Sequence, residues 1–68
     1  MNSLQHYRMR KGLTTTQLGL MIGMHPANIS LVEHGHRKAW PNLRQKLLEV
    51  LDTTEDELFN EAGFVKQL

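Results

Sequence analysis

A chain of 68 residues with no cysteine describes one small domain that no disulfide or thiolate metal site can staple. Its core supplies only about 3–5 kcal/mol at this size, so efficient helix packing has to carry the fold. No charged-apolar-small leader is visible and no apolar run approaches the roughly 18 residues of a bilayer span, which makes a soluble, cytoplasmic protein the expectation. The net charge of +1 hides an asymmetry between the two parts of the chain. Residues 1–46 hold Arg8, Arg10, Lys11, Arg37, Lys38, Arg44 and Lys46 against the acid Glu33. Residues 47–68 hold Glu49, Asp52, Glu55, Asp56, Glu57 and Glu61 against Lys66, so one end is suited to a polyanion and the other faces away from it.

Five short helices account for nearly everything, and no strand pattern competes. The first is expected over Ser3–Arg10, capped by Asn2 or Ser3 and ended by Gly12. Thr14-Thr15-Thr16-Gln17 matches a capping box that opens the second helix, about Thr15–Ile22. There Leu18, Met21 and Ile22 share an apolar face, and Gly23 supplies the left-handed stop. The third helix, about Pro26–Glu33, restarts at a proline whose fixed φ and missing N–H suit the first helical position. Ile29 and Val32 turn inward and Gly35 closes it. A polar, basic loop, His34–Ala39, leads to a fourth helix over Pro41–Leu51, with Leu43, Leu47, Val50 and Leu51 as its apolar stripe and Asp52 as its stop. A second capping box, Thr54-Glu55-Asp56-Glu57, opens a fifth helix expected to continue through Ala62. Gly63 ends it, which divides the chain into a domain of residues 1–63 and a tail of residues 64–68. Phe64, Val65 and Leu68 make that tail more apolar than solvation requires, so it either folds back on helix one or four or joins helix five in a dimer contact. Leu58, Phe59 and most of Trp40 read as core, whereas Leu20 is an unexplained exposed apolar residue, either a minor core contact or a partner contact.

A helix, a tight glycine turn and a second helix of this size form a helix-turn-helix, whose usual partner is DNA. Gly12-Leu13-Thr14, Leu18, Gly23-Met24, Ile29-Ser30, Val32-Glu33-x-Gly35 and the later Leu51 and Leu58-Phe59 together resemble the phage-repressor/Cro type, or Xre, family of helix-turn-helix transcriptional regulators. The resemblance covers about residues 4–60, and Lys38-Ala39-Trp40-Pro41 is similar to a family variant in which Trp-Pro opens helix four. It implies an all-α, compact five-helix repressor-like DNA-binding domain. It also implies a structural salt bridge between Arg8 and Glu33, and a recognition helix at about 26–33 that enters the major groove.

With Ile29 and Val32 inward, steps of about 100° per residue place Ala27, Ser30, Leu31 and His34 on the opposite face. The resemblance implies base reading from Pro26, Ala27 and Leu31, but this chain departs from the long polar residues common there. Ala and Leu can touch a thymine methyl, and none of the three can make a bidentate hydrogen bond. The polar readers that remain are Asn28, suited to adenine, Ser30 and His25; Asn28 can instead be a capping or solvent residue and Ser30 a phosphate contact. Thr15 and Thr16, at a helix N-terminus that favours anions, are candidate phosphate contacts, as are His25, His34, His36, Arg37 and Lys38.

The four histidines raise a metal site, yet His34-x-His36 is the closest spacing and His6 and His25 lie on other elements. No metal, no cofactor and no small-molecule ligand is expected. No nucleophile–base pair or glycine-rich phosphate loop emerges, so the protein reads as a non-enzyme. The expected function is sequence-specific binding of double-stranded DNA by a small prokaryotic or phage transcriptional regulator, with repression and activation both open. A phage repressor, a restriction-modification controller and an antitoxin all fit. A homodimer is expected because one recognition helix reads few bases. The alternative is a protein–protein interaction module that retains the fold, favoured by the apolar Pro26, Ala27 and Leu31. The basic half favours DNA, and Met1 with the family-sized span suggests a complete, very short regulator.

Overall fold

The computed structural model describes residues 1–68 as five helices: α1 Ser3–Arg10, α2 Thr15–Ile22, α3 Pro26–Glu33, α4 Pro41–Leu51 and α5 Glu55–Leu58. The first four lie where capping and periodicity predict them. Asn2 opens α1, its Oδ1 accepting the Gln5 N–H at 2.7 Å. Both halves of the Thr14–Gln17 capping box are made, at 2.9 and 3.1 Å. α4 opens on Pro41 and stops at Asp52, a non-glycine residue at φ 53°, tolerated because a short polar side chain is among the few that visit this region.

One core joins all five helices. Leu4 from α1, Leu18 and Ile22 from α2, Ile29 and Val32 from α3, Leu43, Leu47 and Leu51 from α4 and Leu58 from α5 are all buried, with Ala39, Phe59 and Val65 from the connections. α2 packs on α3 and α4, while α1 packs on α3 and α5. The apolar stripes thus close on one another, and α3 keeps one face outside.

The C-terminal region differs from the sequence expectation. α5 ends at Leu58 rather than Ala62, and Phe59 is extended. The Thr54 hydroxyl makes no capping bond, and Glu57 accepts instead from the Tyr7 hydroxyl at 3.0 Å. Asn60 explains the early stop: its Oδ1 accepts from Ala62 and Phe64 N–H groups at 2.9 and 3.1 Å, turning the chain so that Phe59 pairs with Val65. Burying Phe59 and Val65 together outweighs another turn of exposed helix. Residues after the turn run back along the N-terminus. Ser3 donates its N–H to the Lys66 carbonyl at 2.8 Å, and Asn2 pairs with Gln67. Val65 belongs to the shared core, Phe64 is half-buried and Leu68 is exposed.

Two other apolar positions depart from expectation. Met21 is 58% exposed because α2 turns Leu18 and Ile22 inward. Trp40 is 38% exposed and lines a groove with Asn42, Leu43 and Lys46 of α4 rather than joining the core. Leu20 is 78% exposed.

Candidate nucleic-acid interface

The interface is built around the α2–α3 turn. Gly23 stands at φ 72°, a left-handed conformation that a side chain disfavours. The following Met24 N–H returns to the Gly19 carbonyl at 2.8 Å, closing α2 in a Schellman arrangement. Gly19 itself is buried against the turn, and a Cβ there would penetrate the Met24 carbonyl oxygen. Two glycines thus set the crossing of α2 and α3: one supplies the left-handed residue and the other the close approach.

α3 begins on an unusual cap. The His25 Nδ1 accepts the Ala27 N–H at 3.1 Å, with Pro26 in the first helical position. An accepting Nδ1 leaves the proton of the neutral ring on Nε2, so His25 carries a donor directed away from its own backbone. Beyond it, Ala27, Leu31 and His34 are exposed, and Pro26, Asn28 and Ser30 are half-buried. Thr16 is exposed and Thr15 half-buried at the N-terminus of α2.

Past α3, His34, His36, Arg37 and Lys38 are all exposed, but Arg37 and Lys38 go different ways. The Arg37 guanidinium lies 5.2 Å from the Trp40 ring centroid, and its Nη1 faces the Asn28 Oδ1 at 3.5 Å. The Lys38 stem is aligned over Gly63, beside the Arg44 guanidinium. Trp40 is therefore a member of this surface that sequence reasoning assigned to the core. The available signal was an aromatic residue directly after a basic loop, a pairing suited to cation–π stacking.

Behind α3 the structure brings Arg8 and Glu33 together. The Arg8 Nη2 and Nε approach the same carboxylate oxygen, Glu33 Oε1, at 2.9 and 3.3 Å. Arg8 Nη1 donates to the Leu13 carbonyl at 2.9 Å, so one guanidinium ties α1, the end of α3 and the α1–α2 loop. Glu33 is 2% exposed and the Arg8 side chain 13%. A second pair, Arg44 with Glu55 at 2.9 Å, joins α4 to α5. With Arg8 and Arg44 paired, Arg10, Lys11, Arg37, Lys38 and Lys46 remain as the exposed cations of residues 1–46 without a carboxylate partner. The four histidines and the acids form no group of three that converges on one point.

A glycine-closed turn between two short helices, with one helix face open and a basic loop beside it, is the arrangement of a helix-turn-helix domain. The model of the helix-turn-helix family matches residues 4–58, and the chain belongs to that family, in its phage-repressor/Cro, or Xre, type. It is thereby a DNA-binding regulator in general type. No curated protein and no solved structure matches the chain. No helix is long and apolar enough to cross a membrane.

Proposed function

We propose that the protein is a sequence-specific regulator of transcription that binds double-stranded DNA with α3 in the major groove. The observation that carries this reading is the outward face of α3. It offers Ala27 and Leu31 for thymine methyl groups and Asn28 for a purine edge, begins at the His25 donor and ends in a basic loop. Thr15, Thr16, His25, His34, His36, Lys38 and, through its remaining donors, Arg37 contact phosphates and fix the register, while Pro26, Ala27, Asn28, Ser30 and Leu31 meet the bases.

A helix of eight residues reads few base pairs, so the working form is a homodimer on two half-sites about 34–36 Å apart, one turn of the duplex. The protomer measures 27 × 20 × 20 Å, a size that lets two copies lie side by side along one face of the DNA at that spacing. The source is a prokaryote or phage, and the protein acts in the cytoplasm.

A second reading, a protein-interaction module on the same fold, is favoured by the exposed Leu20 and Met21 on α2. Titration of the full chain against random duplex at two salt concentrations, followed by selection from a random DNA pool, separates the two. Salt-dependent binding with an enriched motif supports the regulator. Absence of binding to any duplex overturns it in favour of the interaction module.

A further inference from the structure

We infer that Trp40 and Arg37 are positioning residues that decide how Asn28 presents its amide to a base. The inference rests on the reading of α3 as the recognition helix. An asparagine at a groove has two faces: an acceptor, Oδ1, and a donor, Nδ2. Its terminal torsion is broad and roughly two-fold, so the unaided side chain exchanges these faces at little cost. Adenine distinguishes them. Its N6 amino group needs the acceptor and its N7 needs the donor, so a reversed amide sets donor against donor.

Arg37 removes that ambiguity. A guanidinium has donors only, so the Nη1 facing Asn28 at 3.5 Å favours Oδ1 on its side and turns Nδ2 the other way. The contact is long, and in isolation a flexible arginine would not hold it. Trp40 supplies the missing constraint, because the same guanidinium lies over its indole at 5.2 Å, where cation–π attraction and planarity restrict the arginine. Trp40 is placed in the fold by its neighbours. It precedes Pro41 at the start of α4, follows the buried Ala39, and lines a groove with Ile22, Gly23 and Met24 of the α2–α3 turn. The order set by the fold at Trp40 thus passes through Arg37 to Asn28. The second lone pair of Oδ1 stays available for the adenine amino group. Trp40 shapes sequence preference without meeting a base.

The test uses the full chain and a duplex carrying the motif selected by the wild-type protein, set against the same duplex with the adenine read by Asn28 replaced. Asn28→Ala identifies that base pair by erasing the preference for it. Trp40→Leu and, separately, Arg37→Met should each lower the preference about tenfold at one fixed salt concentration. Trp40→Phe should keep most of it, since a phenyl face still receives the guanidinium. Trp40→Leu added to Asn28→Ala should change nothing further at that base pair, the non-additivity expected of residues acting as one unit. The loss in Trp40→Leu should be confined to the base pair read by Asn28, which a merely structural role or a direct DNA contact elsewhere would not produce. A preference unchanged in Arg37→Met, whose exposed side chain can be replaced without unfolding, overturns the inference. So does a Trp40→Leu effect that spreads to other base pairs or persists in the absence of Asn28. If the wild-type protein enriches no motif, the recognition-helix reading fails first and this inference with it; if it enriches one that ignores Trp40 and Arg37, only this inference fails.

Discussion

Removing Arg8 should be more damaging than removing any other single cation. Glu33 is almost fully enclosed at 2% exposure, and both Arg8 contacts to it converge on one oxygen. Arg8→Met would strand that carboxylate in the interior, a loss of about 3–5 kcal/mol for a buried pair broken on one side. A domain of this length holds only about 3–5 kcal/mol in total, so the variant should be largely unfolded at room temperature. It also frees the Leu13 carbonyl, loosening the entry to α2. Glu33→Gln is the informative contrast. It keeps an acceptor for the guanidinium, and the Arg8 side chain at 13% exposure still reaches some water, so the cost should fall to about 1–3 kcal/mol. Each kcal/mol lowers the melting temperature by about 4–8 °C at this chain length.

Helical circular dichroism during heating and in urea reads both effects. The expected order of stability is wild type, then Glu33→Gln, then Glu33→Ala, with Arg8→Met lowest. The paired change Arg8→Met with Glu33→Leu should recover part of the loss, because no charge is then left inside. An Arg8→Met protein that melts within about 5 °C of wild type would refute the reasoning, since the shift would amount to about 1 kcal/mol or less.

Gly19→Val should cost at least about 1–3 kcal/mol in urea unfolding, because the obstacle at the new Cβ is the Met24 backbone oxygen, which no rotamer change can move. His25→Ala should lose about 1 kcal/mol of stability with the α3 cap, and His25→Asn should restore most of it; equal melting of His25→Ala and wild type counts against the cap. In duplex titrations, Lys38→Ala should reduce the log–log salt slope by about 0.9 for the phosphate it releases and leave motif preference untouched. A changed preference in Lys38→Ala would show that its side chain leaves Gly63 and reads bases.

The elements that sequence reading placed well are those whose boundaries are chemically punctuated. Asn2, the Thr14–Gln17 box, Gly23, Pro26, Pro41 and Asp52 all act locally, through hydrogen bonds or backbone angles that the neighbouring residues decide. α5 shows where this reasoning stops. Thr54-Glu55-Asp56-Glu57 has the composition of a capping box, but Glu57 is drawn away by Tyr7, which is 50 residues distant in sequence. Phe59 and Val65 prefer each other to a longer helix, and their pairing also depends on the N-terminus, where the Ser3 N–H and hydroxyl meet the carbonyls of Lys66 and Leu58. No window of local pattern contains those partners. The same holds for Met21 and Trp40, whose apolar character says that they can be buried without saying that space in the core exists for them.

Charge was legible in outline and misleading in detail. The basic first 46 residues suggest an end suited to a polyanion, yet folding largely encloses Arg8 against Glu33 and pairs Arg44 with Glu55 from the acidic part. The cations that remain follow from three-dimensional placement rather than from their count. Arg37 and Lys38 make the point most sharply, since adjacent residues of equal charge belong to different environments. Lys38 lies along Gly63 as a point charge, while Arg37 is held between an indole and the amide of Asn28. Only the planar, donor-rich guanidinium can serve in the second place, because stacking and directional donation act together there. An Arg37→Lys change that preserves net charge should therefore lower motif preference while leaving the salt slope close to wild type, and the opposite pattern would mean that Arg37 acts through charge alone.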